Sequence, residues 1–145
     1  MRDVRRSALL PYSTMQVYGL VADVERYPEF LPWCTDARVL ERREDEVTVR
    51  LGLSSGLARA VFTTRNRLDP GRSMTMSRVD GPFDRLDGRW DFTPIGGEGT
   101  RADLRVQFAT HGVLGALALG PAFEVACNHL VDAFARRARA VFGER

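Results

Sequence analysis

The chain of 145 residues has no lysine: all 21 of its cations are arginines, set against 19 acidic residues for a net charge of +2. So slight an excess gives no ground for nucleic-acid binding from charge alone, and DNA is not an expected partner. Arginine makes forked, planar contacts with carboxylates and phosphates, although its exclusive use is also what a genome-wide bias leaves behind. Only two cysteines occur, Cys34 and Cys127, far apart and outside any C-x-x-C spacing. That excludes a disulfide scaffold and a thiolate zinc site, and fits a reducing, cytoplasmic setting. The two histidines, His111 and His129, stand at no recognised ligand spacing from a carboxylate or thiol. Nucleophile elbow, phosphate loop and paired catalytic carboxylates are all missing, so neither a catalytic residue nor a metal nor a cofactor is expected. No apolar run approaches the roughly 20 residues of a membrane span, and the charged start "MRDVRRSALLPYS" has no signal-peptide core. Repeats, low-complexity tracts and linkers are absent too, which predicts one domain over residues 1–145.

What is present has a clear order. "RDVRRSALL" reads as a strand with Val4, Ala8 and Leu10 on one side. Ser13 with Gln16 forms a capping-box pattern, and Val17, Leu20, Val21 and Val24 follow at helical spacing. From Thr35 to Thr110 the period changes to two, with turn signals at "DPGR", "DGPF" and "GGEG", the pattern of an antiparallel meander. The last segment carries Phe123, Ala126, Cys127, Leu130, Phe134, Ala138 and Val141 at three- and four-residue steps, an amphipathic helix opened by Pro121 and stopped at Gly143. The expected class is α+β: a curved antiparallel sheet of about six to seven strands around a long C-terminal helix, with short helices after the first strand. Such a helix-grip arrangement commonly leaves a cavity between sheet and helix.

Several stretches in the same order resemble one family: "PYS" before a helix, "DVERYPEFLPWC", "FTTRN", "VDGPF", "GRWDFTP" and "VDAFARRARAVFG". Together they resemble the START-like family that contains the bacterial RatA proteins and the mitochondrial coenzyme-Q-binding proteins. The resemblance runs from about Val4 to Gly143. It implies a helix-grip fold with an apolar cavity that takes ubiquinone or a similar prenyl lipid, supporting respiration as a carrier without chemical turnover. For the RatA branch it also implies association with the large ribosomal subunit and inhibition of translation initiation. On this basis the chain is expected to carry a prenyl lipid in the cytoplasm and to touch the inner membrane transiently. The alternative is a ribosome-associated toxin.

Strand parity assigns an inner face. With Phe62 inward, Thr64, Asn66 and Leu68 follow, then Met74 and Met76, then Leu86, Trp90 and Phe92, then Leu104, Val106 and Phe108. Phe83 of "VDGPF" joins them, as do Phe123, Leu130 and Phe134 of the helix stripe. Each of these residues is a candidate for the ligand cavity or else for ordinary core. Thr64 and Asn66 are candidates to hydrogen-bond a quinone oxygen, or else a buried pair that satisfies itself.

Tyr27, Phe30, Leu31 and Trp33, in a knot interrupted by Pro28 and Pro32, are expected either at the cavity mouth or as a plug in the barrel end. "HGVLGALALGPAF", without a charge between His111 and Glu124, reads either as an apolar lid that meets a membrane or as a short helix packed under the long one. Outward parity places Arg50, Arg59, Arg65, Arg67, Arg89 and Arg105 on the opposite face. There they form either a phosphate-contacting patch or a solvated surface interrupted by Asp87, Asp91 and Asp103.

Overall fold

The computed structural model describes residues 1–144. Seven strands form a single antiparallel sheet: β1 (Arg2–Leu10), β2 (Cys34–Arg42), β3 (Glu46–Ser55), β4 (Ala58–Asp69), β5 (Ser73–Asp80), β6 (Phe83–Ile95) and β7 (Gly99–Thr110). Their order across the sheet is β1-β7-β6-β5-β4-β3-β2. The meander therefore runs in sequence from β2 to β7, and β1 joins the far edge. Strands β1 and β2 lie at opposite edges, so the chain between them must cross the sheet. Helix α1 (Thr14–Ala22) and a 3-10 helix (Val24–Glu29) make that crossing.

Helix α1 starts where the sequence says it should. The Ser13 hydroxyl accepts from the Gln16 amide at 3.2 Å, and the Gln16 side chain accepts from the Ser13 amide at 2.9 Å. Each bond satisfies an amide that the first turn would otherwise leave unpaired. At the "DPGR" turn Gly71 has φ +74°, a left-handed backbone that side chains resist.

The C-terminal helix begins as α2 (Gly112–Leu114), passes through a π-helical turn (Gly115–Leu119) and continues as α3 (Gly120–Phe142). Gly143 ends it at φ +85°, its amide donating back to the Arg139 carbonyl. Arg2 and Arg6 of β1 reach α3 at Glu124 (3.3 Å) and Asn128 (3.0 Å), and the Tyr12 hydroxyl donates to the Gly143 carbonyl at 2.5 Å. One side of α3 buries Phe123, Ala126, Cys127, Val131, Phe134 and Ala138 against the sheet. Each such side chain taken from water contributes about 1.5–3 kcal/mol when large and apolar.

By length and composition alone, the continuous helix from Gly112 to Phe142 is apolar enough to cross a membrane, with a mean hydropathy of 1.3 over its most apolar 18 residues. That corrects the expectation that no segment comes near a span. The core helix of a soluble protein passes the same test, and α3 packs on the sheet as a core helix does. Even so, only 28% of that window is buried, because the apolar excess lies in the part that precedes α3.

Candidate functional site

The aromatic residues of the inner face gather into two clusters, one at each end of α3. Phe123 sits within 4.8–5.6 Å of Phe108, Phe83 and Phe62. Three turns on, Phe134 meets Phe30, Trp90 and Tyr27 at 5.2–5.5 Å, nearly all edge-on as aromatic quadrupoles prefer. Between the clusters the helix offers Ala126, Cys127 and Leu130, and the sheet offers Gly88 opposite Met76. Met76 folds over Gly88, and against the short side chains of Ala126 and Cys127 a hollow of about 70 Å³ remains.

Phe62, Thr64, Met76, Trp90, Leu104, Phe123, Leu130, Phe134, Tyr27 and Trp33 all line this hollow, as parity and the helix stripe suggest. Leu86 and Val106, also inward by parity, line it too.

Other expected lining residues do not reach it. Phe83 and Phe108 are taken up in the cluster around Phe123, and Met74 is sealed in the core. Phe92 is covered by Tyr18, 6.0 Å away. Leu31, 1% exposed, plugs the space under the knot, while Phe30 sits beneath Arg137, whose guanidinium lies 5.0 Å above the ring. Asn66 is turned to Thr64, whose hydroxyl donates to its Oδ1 at 2.8 Å, the self-satisfied arrangement. Sequence reasoning passed over Leu51, Gly88, Ala126 and Cys127 as lining. Leu51 was legible, since it pairs with Phe62. Gly88 carries no side chain to signal its place.

The hollow is chemically plain. Its walls bear no carboxylate and no imidazole among the described residues. The Tyr27 hydroxyl is spent on the Val21 carbonyl, and burial pushes its ionisation far above the usual phenol range. Burial likewise pushes the Cys127 thiol up to about 12, and Cys34, outside the hollow, to about 11. None of these groups is poised to move a proton near neutrality. Among the described residues no group of three His, Cys, Asp or Glu can hold a metal. His111 is not isolated, as the sequence suggested: its Nδ1 lies 2.7 Å from Asp84 on the exposed surface, away from the hollow.

At about 70 Å³ the hollow is well below the roughly 300 Å³ or more of a ligand pocket. The expectation of a roomy cavity is corrected: the sheet and helix close on one another more tightly. A wider groove of about 350 Å³ lies outside, between the knot, the β3 end and α3. Trp33 and Ala126 line both groove and hollow, so they form the wall between them.

The knot is thereby explained. Its residues Tyr27 and Leu31 fill the barrel end, while half-buried Trp33 stands at the groove. Arg137 fixes the arrangement from α3 by donating to Glu29 at 2.8 Å.

On the outer face, register sets Arg89 opposite Arg105 and Arg105 opposite Arg5, a row of like charges across β6, β7 and β1. Asp91 stands opposite Asp103 in the next row. Bonds along the strands join the rows, Arg89 to Asp91 at 2.9 Å and Arg101 to Asp103 at 3.2 Å. Arg105 reaches Asp3 at 3.1 Å and, as its hydrogen-bond donor, holds that carboxyl below the usual range. A shallow depression of about 340 Å³ runs over these side chains.

Comparison with known proteins places this geometry. Residues 10–135 match the model of the family described as polyketide cyclase / dehydrase and lipid transport. The ribosome association toxin RatA of Pseudomonas aeruginosa is 44% identical over 140 residues, 97% of each chain. The mitochondrial coenzyme Q-binding protein COQ10 homolog B of Xenopus laevis is 25% identical over 147 residues, covering 99% of this chain and 60% of that one. The Zhui aromatase/cyclase from Streptomyces sp. R1128 superposes with a TM-score of 0.84 at 22% identity, over 97% of this chain and 95% of that one, a likeness of fold.

Proposed function

Starting from the polyketide cyclase / dehydrase and lipid transport family, to which this chain belongs, we propose that it acts as a ribosome association factor of the RatA type. The observation that carries this reading is the likeness at 44% identity, over nearly the whole of both chains, to a protein named for ribosome association. The outer face supports it. Arg5, Arg105 and Arg89 stand in one row across three strands, Arg5 and Arg105 paired with Asp3 and Arg89 with Asp91 in exposed bonds that contribute little to stability. A polyanion such as ribosomal RNA would offer its phosphates in place of those carboxylates, each taking a charge-assisted bond from an arginine. The aspartates between the rows set a register and keep the face from binding every polyanion alike. The experiment is subunit joining: large and small ribosomal subunits are mixed with increasing protein, and light scattering follows their association. Dose-dependent loss of joined ribosomes is the expected result; joining unaffected at a large molar excess refutes the reading.

A second reading is favoured by the hollow. An apolar space without carboxylate or imidazole in its walls, in a family described by lipid transport, suits a prenyl lipid such as ubiquinone. Burial of each CH2 from water contributes about 0.8 kcal/mol, but transfer from a bilayer to an equally apolar site contributes almost nothing. Such a site takes a lipid and returns it without an energy source. At the volume seen here, loading requires Trp33 and the neighbouring part of α3 to move apart. Organic extraction of the purified protein followed by mass spectrometry tests this: near one equivalent of quinone is expected, and repeated recovery of none from a quinone-producing host overturns it.

A further inference from the structure

The two ends of the sheet differ in what they leave exposed. The β3–β4 hairpin tip, the β5–β6 turn, the end of β7 and the start of the C-terminal helix share one end. At this end Val113, Leu114 and Leu117 are 72–82% exposed, Leu57 at the hairpin tip is wholly exposed, and Val61 is exposed nearby. From Gly112 to Phe123 there is no charged residue at all, and of residues 111–118 only Gly115 is even half-covered. The expectation of a short helix packed under the long one is thus not met: the segment continues α3 outward into solvent. Its π-helical turn adds a residue to the coil and so rotates the side chains that precede it relative to those of α3. Leu119 is thereby buried while Leu114 and Leu117 point away.

We propose that this end of the molecule seats on a lipid bilayer, the Gly112–Leu119 segment lying in the interface with Leu57 beside it. Two observations select a bilayer rather than another occupant. The segment itself carries no charge, and Arg2, which lies against Gly120, is paired with Glu124, so the surface that the segment exposes is apolar. In addition, the segment runs directly into the wall of the outer groove: Ala122 and Val125, further along the same helix, line it together with Trp33, which borders the hollow. An apolar guest leaving a membrane at this end meets the groove first and the hollow behind Trp33 next. The choice of a bilayer rests on the lipid reading of the hollow, and it adds the side from which the hollow is loaded.

The test is flotation of the purified full chain with phosphatidylcholine vesicles, with and without phosphatidylglycerol, at low and high salt. Binding to both compositions, little altered by salt, is expected, with at least about a tenfold weakening in a Leu114→Asp, Leu117→Asp variant. Both positions are exposed, so the variant's thermal midpoint and ribosome co-sedimentation stay unchanged. In a Leu114→Trp variant, vesicles shift the tryptophan emission to the blue and brominated acyl chains quench it. Failure of the native chain to float on either composition overturns the proposal. So does a dimer in sedimentation that the Leu114→Asp, Leu117→Asp change dissolves, since a second copy would then cover the face. Loss of ribosome co-sedimentation in that variant, without vesicle binding by the native chain, assigns the face to the ribosome instead. Flotation without extractable quinone leaves the docking surface standing and removes only the carrier reading.

Discussion

The two faces of one sheet follow opposite rules. Inward, Phe62, Trp90, Leu104 and Phe108 meet a helix and exclude charge altogether. Outward, on the residues between them, arginine and aspartate alternate along strands β6 and β7 and pair two positions apart. Because successive side chains point to opposite faces, the inner and outer sets share backbone but do not touch. A lipid site and a polyanion site can therefore occupy the same strands, and changes to one need not disturb the other.

The largest way to sharpen the contrast is to empty the inner face. Phe123→Ala removes the ring that joins Phe62, Phe83 and Phe108, and should cost about 3–5 kcal/mol in urea unfolding. The same measurement on Arg89→Gln with Arg105→Gln should show less than about 1 kcal/mol, since exposed ion pairs contribute little. A comparable loss from both would break the contrast.

Alkaline pH also reaches only the inside. The Cys127 thiol, raised by burial to about 12 from an ordinary value of 9.0, must stay neutral in the folded chain but ionises once unfolded. Its contribution is complete below pH 9 and is lost as pH rises from about 9 towards 12. Denaturation across that range should steepen in the native chain and less so in Cys127→Ala. Finally, Ala126→Val adds volume where the helix and sheet fail to meet. It should raise stability by about 1 kcal/mol and lower quinone recovery, with ribosome binding unchanged.

The fold was legible because three signals agreed: a capping box at Ser13, period-two strands between turns, and a long stripe on the last helix. The three turn signals fall where strands end: "DPGR" between β4 and β5, "DGPF" between β5 and β6, and "GGEG" between β6 and β7. The site was legible only in part. Parity tells which face a residue takes, and Phe62, Thr64 and Trp90 lie where it puts them. It does not tell depth along the strand. Met74 and Met76 share a face, yet one is sealed and the other borders the hollow, because α3 tapers from bulky Phe134 to small Ala126 over that stretch. The tight fit of sheet and helix was illegible for the same reason, since a hollow is set by distances between elements. The outer rows were half legible. The arginines could be counted, but their alignment across β6, β7 and β1 depends on register.

The most direct test of the outer face is co-sedimentation of the purified protein with large ribosomal subunits over a range of salt. Binding should weaken steeply as salt rises. In Arg89→Glu with Arg105→Glu the logarithmic slope should shrink by roughly 0.7–0.9 for each phosphate that is no longer neutralised. Absence of binding at low salt, or binding that salt does not change, would contradict a ribosomal role for this face.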